Sequence, residues 1–64
     1  MKQWFEARQG KRVVIDTLAP SETGASYSGM VAWVGDDAVV LQLNNQTRLI
    51  AFHAIESAID AQEF

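Results

Sequence analysis

The spacing of apolar positions divides the chain into a short helical beginning and a series of strands. The first ten residues contain a set spaced three and four residues apart, which lies on one face of a helix: Met1, Trp4, Phe5 and Arg8. This pattern predicts a helix over about residues 2–9, closed by Gly10, because glycine readily adopts the left-handed conformation that ends many helices. A helix of this length is unstable alone in water, so we expect it to pack through Trp4 and Phe5.

After Gly10 the pattern changes to short stretches rich in apolar and β-branched residues, separated by turn residues. These stretches predict five strands, at about residues 11–18, 27–35, 38–43, 47–52 and 56–60. Five short strands after a helix are typical of a bent five-stranded antiparallel barrel of the SH3-like or OB-like type. The expected fold is therefore mainly β, in one domain over residues 1–64.

The alternation inside the strands also predicts which side chains face the core. Val39, Leu41 and Leu43 share one face of the third strand. In the second strand two alternatives are open, in which either Val31 and Trp33 or Met30 and Val34 form the second layer. Trp33 is expected in the core or in a subunit contact. Gly29 is expected to allow a sharp bend in this strand.

Size and composition limit the means of stabilising such a domain. A chain of 64 residues buries only about 60% of its unfolded surface. It has no cysteine for disulfides or thiolate metal sites, and its one histidine cannot form a transition-metal site alone. We therefore expect no metal and no cofactor. Because 48% of the residues are hydrophobic, self-association is the expected source of additional stability.

Charge and the amino-terminal segment exclude some classes of function and favour others. The formal net charge of −3 does not favour general nucleic-acid binding, which requires lysine and arginine. The sequence has no apolar run of membrane-spanning length and no signal-peptide pattern, so we expect a cytoplasmic protein without a membrane partner. A few serines and one histidine form no catalytic pattern, and we expect no enzymatic activity.

Three features resemble the Sm-like family, and within it most closely its bacterial Hfq branch. Gly29 is followed by the apolar residues 30–34 of the second strand, as in the family. An acidic turn at residues 36–37 then leads into an apolar third strand. The segment 51–57, AFHAIES, is similar to the Tyr-Lys-His-Ala-Ile-Ser-Thr run of Hfq-like proteins. The resemblance covers about residues 2–60 and implies an Sm-like barrel, a homo-oligomeric ring and RNA binding.

The positions through which the family contacts RNA are mostly replaced in this chain. Phe52 stands in place of a lysine, Ala38 in place of a base-stacking aromatic residue, and Asp37 in place of a glutamine. The loop at residues 19–26 is longer than the turn common in the family. Only His53 matches. It either lines a ring pore and bonds a nucleotide, or it is a corner residue whose ring bonds a backbone group.

Two hypotheses for the function follow. The first is an Sm-like ring that binds single-stranded RNA through pore-facing loops and a basic helix face. Its candidate RNA contacts are His53, Asp36, Asp37, Phe52, Lys2, Arg8, Lys11 and Arg12. The second is a ring-forming scaffold that binds protein rather than nucleic acid, which the negative charge and the replaced RNA positions favour. For the acidic turn and the basic helix face, an ordinary solvated surface is the alternative.

Assembly is expected at the edges of the sheet. An open barrel leaves two edge strands with unpaired backbone groups, and the predicted fourth and fifth strands contain no proline or lysine that would guard them. Pairing the fourth strand of one subunit with the fifth of the next is head-to-tail, and the resemblance implies closure into a ring of about five to seven subunits. The candidate interface residues are Leu49, Ile50, Phe52, Ile55 and Ile59.

Overall fold

The structure is a computed structural model that describes residues 1–18 and 25–61. Its elements are α1 (Lys2–Glu6), β1 (Arg12–Thr17), β2 (Ala25–Val34), β3 (Ala38–Gln42), β4 (Thr47–Ala51), a 3₁₀ turn (Phe52–Ala54) and β5 (Ile55–Asp60). The mainly β class is therefore confirmed, and each strand end lies within two residues of its predicted position. Of the predicted loop at residues 19–26, the first six residues lie outside the described residues, and the last two begin β2.

The five strands form one antiparallel sheet in the order β4-β3-β2-β1-β5. β1 pairs on one side with β2 and on the other with β5, so that Val14 lies opposite both Ser28 and Ile59. β4 pairs with β3 alone, and β5 with β1 alone, among the described strands. The fourth and fifth strands are therefore the two edges of the sheet. None of the described helices is long and apolar enough to cross a membrane.

The sheet is bent, because a very short connection joins its two edges. In a flat sheet β4 and β5 would lie about 19 Å apart, since neighbouring strands are spaced by about 4.8 Å. The chain from Ala51 to Ile55 advances by only four residues and therefore spans at most about 14 Å. Ile50 of β4 and Ile55 of β5 also belong to the same core cluster. The sheet must therefore curve around that cluster.

The core is entirely apolar and draws residues from the helix and every strand. Its buried members are Phe5, Val13, Ile15, Val31, Val39, Leu41, Ile50 and Ile55. Val39 and Leu41 alternate as predicted, and Leu43 packs against them half-buried. Phe5 is fully buried and attaches α1 to the sheet, with Trp4 half-buried beside it. Met1, which shares the predicted helix face, is exposed instead.

Helix α1 is shorter than predicted, because pairing with β2 replaces its last turn. It ends at Glu6, and Ala7 is its C-terminal cap. Gln9 then forms an isolated bridge with Val31, whose carbonyl oxygen accepts a hydrogen bond from the Gly10 N–H at 2.8 Å. Gly10 does have the expected positive φ, +81°. It turns the chain into β1, however, and does not cap the helix.

The predictions about β2 concern Gly29, which was expected to allow a bend, and the second core layer, which was expected to contain either Val31 and Trp33 or Met30 and Val34. A Cβ on Gly29 would lie 2.7 Å from the carbonyl oxygen of Gln42 and 2.8 Å from the Leu43 side chain. Glycine is thus required by the close approach of the end of β3. Val31 is buried, but a register shift between Val31 and Trp33 turns the indole outward, where it is 56% exposed. Trp33 therefore lies outside the core.

Candidate functional site

The only histidine of the chain lies in the 3₁₀ turn Phe52–Ala54, which joins β4 to β5 and is called the corner below. The Phe52 N–H donates a hydrogen bond of 2.8 Å to the carbonyl oxygen of Asp37. The Leu18 N–H donates one of 2.7 Å to the carbonyl oxygen of Ala54. The corner is thus bonded to the β2–β3 turn on one side and to the end of β1 on the other. Its path is fixed by backbone hydrogen bonds.

Phe52 is half-buried and packs against the core of the chain. Its ring stacks on Phe5, with centroids 5.7 Å apart and planes 4° from parallel. The Trp4 ring packs edge-on against the Phe5 ring, with the two centroids 5.0 Å apart. The aromatic residue that replaces the family's lysine therefore joins the helix to the corner. Phe52 was predicted both as an RNA contact and as an interface residue, and in the single chain its ring is half-buried against Phe5.

His53 lies at the exposed middle position of the corner. No side-chain hydrogen bond joins its ring to another residue in the part of the chain that the structure describes. The shape of the corner is therefore set by the backbone hydrogen bonds of Phe52 and Ala54, the residues on either side of His53. Of the two interpretations of His53, a ring bonded to a described backbone group is not observed, and the solvent-facing position leaves the ring accessible.

The acidic turn between β2 and β3 is occupied by a contact with the helix. Lys2 Nζ lies 2.6 Å from Asp36 Oδ1, and the side chains are 43% and 88% exposed. The hydrogen bond from Lys2 lowers the pKa of the Asp36 carboxyl, and the same contact raises the pKa of Lys2. Asp37 is exposed and contributes its carbonyl oxygen to the corner. Two of the predicted RNA contacts, Lys2 and Asp36, thus neutralise each other.

A second cluster of charges lies where β1 begins and β5 ends. Arg8, Lys11, Arg12 and Asp60, with small neighbouring residues, line an open groove that is called the basic groove below. The groove forms because the Arg12 carbonyl oxygen accepts a hydrogen bond from the Ala61 N–H at 3.1 Å. That hydrogen bond places the residues that follow α1 beside the last residues of β5.

Inside the basic groove Arg8 is fixed by several contacts. Its Nε and Nη2 donate to the two carboxylate oxygens of Asp60, at 2.7 and 3.3 Å. Its Nη1 donates to the Trp4 carbonyl oxygen at 3.0 Å, and its guanidinium lies 3.8 Å from the Trp4 ring centroid. The hydrogen bond from Arg8 lowers the pKa of Asp60. Lys11 and Arg12 are exposed and form no ion pair with another described residue.

The structure separates the predicted interface residues into two groups. Leu49 and Ile59 are 66% and 61% exposed, at the β4 edge and the β5 edge. Ile50 and Ile55, at 4% and 7%, are part of the core of the chain itself. Their side chains are already buried within the chain, so they have almost no apolar surface left for contact with a neighbouring copy. Only the outward-facing members of the predicted set are available for contact.

Two features of the site escaped the sequence analysis. Leu18 is exposed beside the β4 edge, in a shallow groove that Tyr27 and Arg48 also line. There the Arg48 guanidinium lies 4.7 Å from the ring centroid of Tyr27, which fixes the direction of that ring. Asp60 is the other omission, since a contact with Arg8 across 52 positions leaves no local pattern.

The described residues offer no metal site, since no group of three or more His, Asp or Glu side chains among residues 1–18 and 25–61 could hold an ion. Comparison with protein-family models, curated proteins and solved structures finds no match for this chain. The features of the chain that bear on its function are the two edge strands, the corner and the basic groove.

Proposed function

We propose that this chain is an Sm-like ring-forming protein that assembles through β4 and β5 and binds single-stranded RNA at the basic groove. The observation that supports assembly best is the strand order, which places β4 and β5 at the two edges of one bent sheet. Each edge strand carries an exposed apolar side chain, Leu49 or Ile59, and pairs with only one other described strand. Edge strands of this kind are normally protected or paired.

The two edges differ from each other, so the contact they make is head-to-tail. Pairing β4 of one copy with β5 of the next leaves a new β4 and a new β5 at the ends, until the chain of subunits closes. The short corner holds the two edges at a fixed angle, because backbone bonds tie it on both sides. A fixed angle favours a closed ring over an open filament, and the resemblance to Sm-like proteins gives the expected size of about five to seven subunits.

The basic groove is the part of the chain that best fits RNA. Lys11 and Arg12 are adjacent and exposed, and Arg8 is held beside them by Asp60. A ring would repeat this cluster once per subunit, which produces a basic band although each subunit carries a net charge of −3. Phosphate contacts of this type need no base-stacking residue, so they are compatible with the replaced RNA positions of the family.

The RNA part is tested by fluorescence anisotropy with labelled oligo-uridine and oligo-adenine at several salt concentrations. We expect the Lys11→Ala/Arg12→Ala variant to bind at least about tenfold more weakly, with a shallower dependence of affinity on salt, because two phosphate contacts per subunit are lost. The matched control is Asn45→Asp/Gln46→Glu, which lowers the net charge equally at exposed positions of the β3–β4 turn. Equal affinities for the two variants would contradict the groove as the RNA site.

A ring-forming scaffold that binds protein is the second candidate, and the ion pairs favour it. Lys2 and Arg8, two of the four cations in the predicted basic helix face, are already paired with Asp36 and Asp60. The net charge of −3 would also repel nucleic acid at long range. A closed ring that leaves the anisotropy of both oligonucleotides unchanged at low salt would support this candidate over RNA binding.

A further inference from the structure

We infer that the basic groove holds one base of single-stranded RNA against the guanidinium of Arg8, which Trp4 and Asp60 keep in a fixed plane. These three residues are called the stacking site below. The inference rests on the proposed RNA binding at the groove and adds the contact that a base makes there. Phosphate contacts of Lys11 and Arg12 do not depend on the base, whereas a stacking site responds to its presence.

The plane of the Arg8 guanidinium is fixed by hydrogen bonds from all three of its nitrogen atoms. Nε and Nη2 donate to the two carboxylate oxygens of Asp60, at 2.7 and 3.3 Å. Nη1 donates to the Trp4 carbonyl oxygen at 3.0 Å. Because a guanidinium is planar, these bonds to α1 and β5 together define its orientation. Little side-chain freedom is therefore left to be lost when a ligand binds.

One face of the Arg8 guanidinium is covered by an aromatic ring. Its Cζ lies over the Trp4 ring, 3.8 Å from the centroid, which is a cation–π contact. The Trp4 ring packs edge-on against Phe5, which is fully buried and stacks on Phe52. The support for the guanidinium therefore extends from the surface of the groove into the core.

The opposite face of the guanidinium is available to a ligand in the basic groove. Arg8 lines that groove, and its side chain is 25% exposed although its nitrogens and one face are engaged. The neighbouring lining residues Ala7, Gly10 and Ala61 are small, and a Cβ added to Gly10 would meet no atom within 4 Å. The groove has a volume of about 710 Å³, which is in the range of small-molecule sites and large enough for a nucleotide.

The cations for the flanking phosphates lie next to this face. The Lys11 N–H donates a hydrogen bond of 2.9 Å to the carbonyl oxygen of Arg8, so the two residues belong to one tight turn. Lys11 and Arg12 are exposed, and neither forms an ion pair with another described residue. Bases of single-stranded RNA stack on arginine planes, and lysine and arginine neutralise its phosphates. A fixed planar face beside two cations therefore suits one nucleotide and its phosphates.

Asp60 has two opposing effects in this arrangement. It fixes the plane of Arg8, but its carboxylate also places a negative charge in the groove that binds the phosphates. Asp60→Asn should therefore strengthen the binding of phosphates and weaken the contribution of the base. If Arg8 acted only as a cation, the same variant would strengthen the binding of strands with and without bases in equal proportion, and the stacking site would be overturned.

The test compares oligo-uridine with a strand that has the same number of phosphates but lacks the uracil bases, by fluorescence anisotropy at one salt concentration. The quantity measured is the ratio of the two affinities, because changes in net charge and in the folded fraction affect both strands alike. We expect the unmodified chain to bind oligo-uridine at least about fivefold more tightly. In Arg8→Lys, which keeps the charge but has no planar face, the ratio should fall close to one.

Lys11→Ala/Arg12→Ala is the matched control, because it removes phosphate contacts and keeps the three residues of the stacking site. It should weaken the binding of both strands and preserve the ratio. Equal affinities of the unmodified chain for the two strands would overturn the stacking site and leave the RNA proposal intact, and so would a ratio that Arg8→Lys does not change. Binding of neither strand would overturn RNA binding at the groove, and the stacking site with it.

Discussion

The corner and the two strands that flank it are adjacent in the sequence, but they differ in how fully their groups are satisfied within the chain. In the corner, Phe52 and Ala54 form backbone hydrogen bonds to the β2–β3 turn and to the end of β1, and Phe52 stacks on Phe5. In β4 and β5, one side of the backbone has no described partner strand, and Leu49 and Ile59 are exposed.

Within this region the exposed large apolar side chains therefore lie in the flanking strands, while His53 is the exposed residue of the corner. The backbone hydrogen bonds of Phe52 and Ala54 hold the two edge strands at a defined angle. The edges and the basic groove are the places where a partner would gain contacts that the chain itself does not supply.

The largest effect is expected where the corner depends on the helix. Phe5→Ala should lower the free energy of unfolding by about 3–5 kcal/mol, because it removes a fully buried ring and the stacking partner of Phe52. A chain of this size has a total stability of only about 3–10 kcal/mol, so much of the variant should be unfolded. Urea denaturation followed by tryptophan fluorescence checks this. Gln3→Ala, at an exposed position of α1, is the control, and equal losses of stability in the two variants would contradict the role given to the buried Phe5 ring.

The next effect concerns the edge. Leu49→Lys should convert the proposed ring to smaller species, because it places a strongly hydrated charge in the proposed contact between β4 and β5. We expect at least about a tenfold loss of affinity between subunits, measured as the concentration at which the mass falls. Met30→Lys adds the same charge on the outward face of β2, which is paired on both sides, and should leave the mass unchanged. If both variants dissociated alike, net charge and not the edge would control assembly.

A small effect is expected at His53, because its ring is exposed and bonds no described residue. His53→Ala should change the free energy of unfolding by no more than about 0.5 kcal/mol. Chemical denaturation provides the measurement, and the same variant can be titrated with oligo-uridine. A large loss of RNA affinity at unchanged stability would identify His53 as an RNA contact and the corner as part of the ligand site.

The smallest effect is an acid dependence of the helix attachment. The folded pKa values of Asp36 and Asp60 are lowered by Lys2 and Arg8, so their contribution to stability is present above the ordinary aspartate value of 3.8 and is lost as the pH falls through the folded pKa values. Both pairs are exposed, so the change is small. Denaturation midpoints between pH 2 and 6 measure it, and Asp36→Asn/Asp60→Asn should flatten the curve. An unchanged curve in that variant would contradict this attribution.

The fold was largely predictable, because it follows from local patterns. The alternation of Val39 and Leu41 and the spacing of Trp4 and Phe5 gave the strands and the helix in their observed order. Failures occurred where pairing between distant segments overrides a local pattern. The bridge from Gln9 to β2 shortens the helix, and the shift after Val31 turns Trp33 outward.

The candidate site was less predictable, for the same reason. The pairs Lys2–Asp36 and Arg8–Asp60 join residues 34 and 52 positions apart, and no periodicity encodes them. The large apolar residues of β4 and β5 were expected at an interface, but the bend of the sheet places Ile50 and Ile55 in the core and leaves Leu49 and Ile59 exposed. Exposure at an edge depends on which face the bend encloses, and a single strand does not carry that information.

The most direct test of the assembly is the mass of the unmodified chain in solution, measured by light scattering over a range of concentrations. One copy has a mass of 7.1 kDa. We expect a single species of about five to seven times this mass that persists on dilution, because a closed ring leaves no free edge. A mass of one copy at all concentrations would contradict edge pairing, and a mass that grows continuously with concentration would contradict ring closure.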